Sequence, residues 1–328
     1  MLLDRYNRPI NYLRISVTDR CNFRCVYCMP PSGVVWRDHA DMLTYEEITE
    51  IVKVAAKEGV TRIRLTGGEP LVRRNLPELI HSLAEIPGLE DISLTTNATL
   101  LEELAAPLAE AGLNRVNVSL DTLDGEKFAR ITRKGSLDKA LRGIQAAESA
   151  GLNPIKLNAV VVRGVNDDEL IDLARLTMDH NWQIRFIELM PVSNTEDWGF
   201  GFPQAGDRYV SVQEMHTILA PLGLGPAEEE NGNGPARYFR IPGAKSIVGF
   251  ISPLGEHFCS TCNRLRLTAD GNLRPCLLND VEIPLRDALR AGEDILPYLK
   301  RALDLKPEGH ENAVTEFHTN RLMAQIGG

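Results

Sequence analysis

The chain has no surplus of positive charge. Its 45 acidic residues outweigh 36 Lys and Arg over 328 positions, leaving −9 at pH 7. That sign argues against general attraction to nucleic acid or anionic membrane, so any anionic ligand must be held by locally placed cations. Long hydrophobic runs are missing too. No stretch is long enough to span a bilayer, and the opening MLLDRYNRPI has no apolar core of a secretory signal. Cysteine is scarce and nowhere scattered: all six fall into two groups, Cys21, Cys25 and Cys28, then Cys259, Cys262 and Cys276. Such grouping in a reducing compartment argues metal ligation rather than disulfides. The expectation is a soluble, cytoplasmic protein with neither a nucleic-acid nor a membrane partner.

What is present is an ordinary globular balance, 43% apolar and 25% charged, in a chain long enough for one large domain or two unequal ones. Six short segments share one pattern: LRISV (13–17), RIRLT (62–66), ISLTT (92–96), VNVSL (116–120), IKLNAV (155–160) and QIRFI (183–187). Each is followed by a helical stretch or a loop. The first helix is well punctuated, with Thr44 and Glu47 as a capping box and Gly59 as a terminator. Alternation at this spacing predicts a parallel α/β sheet, open or curled into a partial barrel, with too few units for a complete eight-fold one.

Period two divides each strand. One face carries Leu13, Ile15, Ile63, Leu65, Ile92, Leu94, Val116, Val118, Ile155, Leu157, Ile184 and Phe186. The other carries Arg14, Ser16, Arg64, Thr66, Ser93, Thr95, Asn117, Ser119, Lys156, Asn158 and Arg185. A parallel sheet buried on both faces reads as nearly continuous Val, Ile and Leu. This one does not, so its polar faces predict a lumen with four cations suited to a polyanion. The competing reading makes each Arg a solvated edge residue. Farther along, the stretch 193–210 is polar and irregular, and 222–236 reads as a linker or surface loop. A small β-rich portion follows, with a tight turn at Asp270-Gly271.

Each cysteine triplet lacks the fourth ligand of a closed zinc site. His39 and His257 stand near enough in sequence to complete such sites. A four-iron–four-sulfur cluster held by three cysteines is the alternative, leaving one iron open to a ligand.

The run DRCNFRCVYC (19–28), with spacing C-x3-C-x2-C, resembles the signature of radical S-adenosylmethionine (SAM) enzymes, and TGGEP (66–70) resembles their second motif. GFISPLGEHFCSTCNRLRLTADGNLRPCL (249–277) and the ending RLMAQIGG are similar to the GTP 3′,8-cyclase family, which begins molybdenum-cofactor biosynthesis. The chain departs from that family in Val192-Ser193 and in the length of the polar insertion near 193–210.

The resemblance implies a lyase with an incomplete (βα)6 TIM-like barrel over residues 1–225. A β-rich C-terminal region, 226–328, would close its open side. It implies two four-iron–four-sulfur clusters, one on Cys21, Cys25 and Cys28 and one for the substrate on Cys259, Cys262 and Cys276. SAM would meet Tyr27, Gly68, Ser119 and Met190. GTP would meet Arg14, Arg64, Thr95, Lys156, Arg264, Leu265 and Arg266. Arg14, Arg185 and the inserted tail Gly327-Gly328 are implied to assist catalysis. A reduced donor such as flavodoxin or ferredoxin and a homodimer are implied partners.

Overall fold

Among the described residues twelve strands, numbered in chain order, form one continuous sheet in the order β12-β11-β10-β1-β2-β3-β4-β5-β6-β9-β8-β7. The structure is a computed structural model that describes residues 1–35, 37–190, 198–228, 234–256, 258–309 and 320–327. Strands β1 (Tyr12–Ser16), β2 (Arg62–Thr66), β3 (Asp91–Thr96), β4 (Arg115–Ser119), β5 (Ile155–Val161) and β6 (Trp182–Glu188) coincide with the six expected segments. Helices α1 (Tyr45–Lys57), α2 (Leu76–Ala84), α3 (Leu101–Glu110), α4 (Gly125–Thr132), α5 (Leu137–Ser149) and α6 (Leu170–Asp179) connect them, with both α4 and α5 between β4 and β5.

The apolar strand face builds the core. Leu13, Ile15, Ile63, Leu65, Ile92, Leu94, Val116, Val118, Ile155, Leu157, Ile184 and Phe186 all belong to one buried cluster with the inner faces of the helices. Truncating one of them, Leu65→Ala for instance, costs about 2–5 kcal/mol. Helix α1 shows how local sequence matches this layer. Thr44 Oγ1 accepts the Glu47 amide while Glu47 reaches back to the Thr44 amide, and Ile48, Ile51, Val52 and Ala55 turn inward.

The β-rich C-terminal region continues the same sheet on both sides. β10 (Arg264–Leu267) lies parallel to β1, and β9 (Val248–Ile251) lies parallel to β6. Eight neighbouring strands, β10 through β9, therefore run parallel. Local pattern identifies a strand but not which distant strand it joins, and the β1–β10 pairing spans most of the chain. The antiparallel strands β11 (Asn272–Arg274) and β12 (Ile283–Pro284) continue one edge, and β7 (Gly225–Ala227) and β8 (Arg237–Arg240) continue the other. Among the described residues the two outermost strands do not pair, so the barrel stays open.

Part of the expected loop at 222–236 is thus strand β7, while 229–233 lie outside the described residues. Helices α7 (Val212–Leu219), α8 (Arg286–Arg290), α9 (Leu296–Asp304) and α10 (Met323–Ile326) complete the fold. Within the polar insertion, Trp198 is buried under Arg208, whose guanidinium lies 3.9 Å from the ring centre. Residues 191–197, which include Val192 and Ser193, lie outside the described residues. No helix among the described residues is long and apolar enough to cross a membrane.

Candidate active site

The polar strand faces meet in one cavity. Arg14, Arg64, Thr95, Ser119, Lys156, Asn158 and Arg185 line it, joined from β10 by Arg264 and Arg266. Register explains the convergence: Arg266 stands beside Arg14, and Arg14 beside Arg64, across three parallel strands. The solvated-edge reading of these residues therefore fails. Burial and neighbouring guanidiniums hold the Arg14 and Arg64 pKa values down, that of Arg64 to about 10. Arg266 is likewise lowered to about 10, by burial and by Arg264. Like charges packed this tightly destabilise the empty chamber and favour an anion within it.

Hydrogen-bonding capacity points the same way. Thr95 Oγ1, Arg185 Nε and Arg264 Nε are buried and have no hydrogen-bond partner among the described residues. Buried polar atoms are normally satisfied, so these mark where a ligand's acceptors belong. Parity had chosen Thr95 for the lumen, and it lines the cavity. Thr96, which lines it as well, gives its hydroxyl to Glu69 at 2.8 Å. Leu265 points the opposite way, into the apolar core, so only its backbone can face a ligand.

At the C-terminal ends of the parallel strands, Cys21, Cys25 and Cys28 border the same cavity with Tyr27, Gly68 and Met190. The loop is tightly wound: the Cys28 and Met29 amides both donate to the Cys25 carbonyl, and Arg133 donates to the carbonyls of Arg24 and Met29. Burial raises all three thiols, Cys21 to about 11 and Cys28 to about 12. A soft cationic group that takes thiolates would relieve that cost.

Gly68 is required by the chain itself. A Cβ there would come within 2.3 Å of the Arg20 carbonyl oxygen in the cysteine loop. The next residue, Glu69, accepts from the amides of Leu71 and Asn97 as well as from Thr96, yet burial pushes its carboxyl up to about 7. Tyr27 donates its hydroxyl to Asp121 at 2.6 Å, and burial likewise raises the Asp121 carboxyl to about 6.

The second triplet sits at the opposite ends of the strands. Cys259 opens a short 3-10 turn and Cys262 precedes β10, while Cys276 follows β11. The Asp270-Gly271 turn folds β10 and β11 into a hairpin, bringing the two cysteine segments together. Their chain neighbours Phe258 and Leu277 line the cavity. Burial alone would raise the Cys262 thiol, but Lys306 and Arg264 draw it down to about 7.

Among the described residues no group of three or more Cys, His, Asp and Glu is spaced to hold a single metal ion. His39 is exposed on a short turn, and His257 lies outside the described residues. A cluster of several irons binds each thiolate on a different metal, so its ligands stand farther apart than around one zinc. Three thiols on one short loop, all facing one chamber, fit that donor set.

The tail reaches the same place. Arg266 donates to the Gly327 carbonyl at 2.8 Å, and Ala324 and Ile326 are buried beside it. Gly328 lies outside the described residues. The sequence reading missed Tyr12, Arg62, Arg115, Glu69, Asp121 and Glu188, all of which line the cavity. Strand parity carried two residues earlier would have found the first three. Glu188 is an anchor: it accepts from Ser252 and from the amides of Val212, Leu254 and Gly255, tying β6 to the C-terminal region.

An open parallel barrel with a three-cysteine loop after its first strand defines the radical SAM class. The Radical SAM superfamily model matches residues 15–177, and the Molybdenum Cofactor Synthesis C model matches residues 182–312. The GTP 3′,8-cyclase of Pelotomaculum thermopropionicum is 51% identical, with 99% of each chain covered. That of Petrotoga mobilis is 47% identical over 100% of both chains, and that of Moorella thermoacetica 50% over 99%. Streptococcus suis SuiB bound to S-adenosylmethionine shares the fold at a TM-score of 0.61 and 15% identity, covering 89% of this chain and 67% of that one. The chain belongs to the GTP 3′,8-cyclase family. It is a radical SAM enzyme, working with SAM and an iron–sulfur cluster.

Proposed function

We infer that the chain converts GTP to (8S)-3′,8-cyclo-7,8-dihydroguanosine 5′-triphosphate, the first step of molybdopterin biosynthesis. One observation carries the reading: a chamber lined by buried, mutually repelling cations lies between two three-cysteine sites at opposite ends of the same parallel strands. A cluster bound at Cys21, Cys25 and Cys28 would supply, with SAM and one electron from a reduced donor, the radical chemistry needed at the ribose H3′.

The residues of this chain then bind, orient and exclude water. Cys21, Cys25 and Cys28 hold the first cluster, and Tyr27, Gly68, Ser119 and Met190 hold SAM. Arg14, Arg64, Thr95, Lys156, Arg264, Arg266 and the Leu265 backbone hold GTP, with Arg forks suited to phosphate oxygens. Cys259, Cys262 and Cys276 would hold a second four-iron–four-sulfur cluster, which would supply an open iron for the purine. Arg14 and Arg185 steady the reacting nucleotide, and the Gly327-Gly328 tail closes the chamber.

The barrel portion is assigned to 1–225 and the closing region to 226–328. A cytoplasmic location suits the unpaired thiols, and a flavodoxin- or ferredoxin-like donor and a homodimeric state complete the reading.

The test is anaerobic incubation of reconstituted, reduced enzyme with SAM and GTP, followed by mass analysis of both products. SAM cleavage with GTP left unchanged would sink the cyclase reading and spare the superfamily.

A further inference from the structure

Lys306 is 2% exposed and lies two residues beyond α9. Its ammonium donates to the Arg264 carbonyl at 2.8 Å, to the Pro275 carbonyl at 2.8 Å and to Cys262 Sγ at 3.4 Å. Three donors meet three acceptors, so the group is fully engaged. The acceptors lie on two different segments. Arg264 opens β10 just after Cys262, and Pro275 directly precedes Cys276, so one side chain stitches together the strands that carry these two cysteines.

The residues after Lys306 extend the stitch to the third cysteine. Arg8, buried and paired with Asp4 at 2.6 Å, donates to the Cys259 carbonyl at 2.6 Å. The same guanidinium donates to the carbonyls of Pro307 at 2.6 Å and Glu308 at 2.8 Å. Neutral amides could hold carbonyls equally well. Burying an ammonium against sulfur is costly unless negative charge collects there, as it does on thiolates bound to a cluster.

We propose that Lys306 is a positioning residue of the second cysteine site that also balances its charge, holding the bound cluster at a higher reduction potential than an uncharged partner would. This rests on the reading that the triplet holds a four-iron–four-sulfur cluster. A fixed cation beside a cluster favours the electron-rich form, and hydrogen bonds to the ligand sulfurs act in the same direction.

The experiment compares Lys306→Met, Lys306→Gln and Lys306→Arg with the unaltered enzyme after anaerobic reconstitution. Iron and sulfide per chain are counted first, and each cluster is then titrated by electron paramagnetic resonance. Lys306→Arg should leave both midpoints close to the original. Lys306→Met should move the second cluster to a more negative midpoint and leave the first unchanged. If the Met variant fails to load its second site, Lys306→Gln, neutral but able to donate to a carbonyl, should show the same selective shift. An unchanged second midpoint in a fully loaded neutral variant, or an equal shift at both clusters, overturns the proposal while the two-cluster reading stands. Only one cluster's worth of iron in the unaltered enzyme overturns that reading and the proposal with it.

Discussion

Arg266 donates to the Gly327 carbonyl at 2.8 Å across a separation of 61 residues, placing the tail against the arginine that β10 brings beside Arg14. Gly327 has φ +69°, and a Cβ there would stand 2.4 Å from Thr66 Oγ1. Gly327→Ala therefore meets backbone strain of roughly 1–2 kcal/mol as well as a collision. The expected outcome is GTP conversion reduced at least about tenfold, with SAM cleavage in the absence of product changed by less than about threefold. Parallel quantification of 5′-deoxyadenosine and cyclised nucleotide checks it; equal loss of both would place the tail's role in SAM cleavage.

The repulsion inside the chamber predicts opposite effects on stability and on binding. Arg64 helps to depress Arg14, and its own pKa is lowered to about 10 by burial, Arg115 and Arg185. Arg64→Met should raise the melting temperature of the ligand-free chain by about 2 °C, corresponding to roughly 1 kcal/mol. It should also weaken GTP binding at least about tenfold, or roughly 1.4 kcal/mol. Equilibrium dialysis and thermal melting together decide this. A destabilised variant with unaltered GTP affinity would make Arg64 a structural residue.

Asp121 gives the ligand-free chain a pH dependence with a definite sign. Its carboxyl rises from an ordinary 3.8 to about 6 because burial outweighs the hydrogen bonds from Tyr27 and Val160. A raised folded pKa means stability present below 3.8 and lost as pH rises through 6, by roughly 3 kcal/mol at neutral pH. Asp121→Asn keeps the shape and removes the titration. Urea denaturation at pH 4.5 and 7.5 should show the variant gaining on the original at the higher pH. The same difference at both pH values would count against the shift.

The six parallel strands were legible because each alternates strictly and is bounded by turn or cap signals, as with Thr44 and Glu47 before α1. The same alternation located Arg14, Arg64, Thr95, Lys156 and Arg185 on the inner face before any geometry was known. It could not assign β10 and β9 to the two flanks of the six-strand array, beside β1 and β6, since pairing between strands distant in sequence leaves no local trace. Residues such as Asp121 and Glu69 sit on strand-end loops, where period two stops and burial alone sets their chemistry. Tyr12 and Arg115 were readable by parity, but they lie one residue before the expected segments, where the boundaries of a short strand are least certain, whereas Arg62 lay inside its segment and on the polar face.

The two cysteine sites should fail differently. Cys25 lines the chamber together with Gly68, whereas Cys276 follows β11 on the hairpin side. Cys25→Ala should abolish SAM cleavage, leaving less than about one part in a hundred, a loss of at least roughly 2.7 kcal/mol in activation terms. Cys276→Ala should impair GTP conversion by a larger factor than SAM cleavage measured without coupling. Iron content and both product assays on the same preparations separate the two, and identical profiles would contradict distinct roles.

Arg321 supplies the means by which the tail is held. Its guanidinium forks onto Asp270 at 3.0 and 2.9 Å and reaches Glu282 at 2.6 Å. Arg37 and Arg274 bind the same two carboxylates from other sides. Removing Arg321 therefore does not strand an uncompensated buried charge, and Arg321→Ala should cost well under the roughly 3–5 kcal/mol of such a loss. What it removes is the tether between the β10–β12 hairpins and the segment leading to Gly327. The variant should fold, release its terminal glycines to carboxypeptidase at least about tenfold faster, and lose GTP conversion in step with Gly327→Ala, a parallel that places both residues in one unit. Arg321→Lys should recover only part of the effect, because an ammonium lacks the planar fork that grips both Asp270 oxygens while reaching Glu282. Carboxypeptidase release at the original rate in Arg321→Ala would mean that the apolar seat of Ala324 and Ile326 alone holds the tail, and the ion-pair network would then be an ornament of the hairpin rather than its latch.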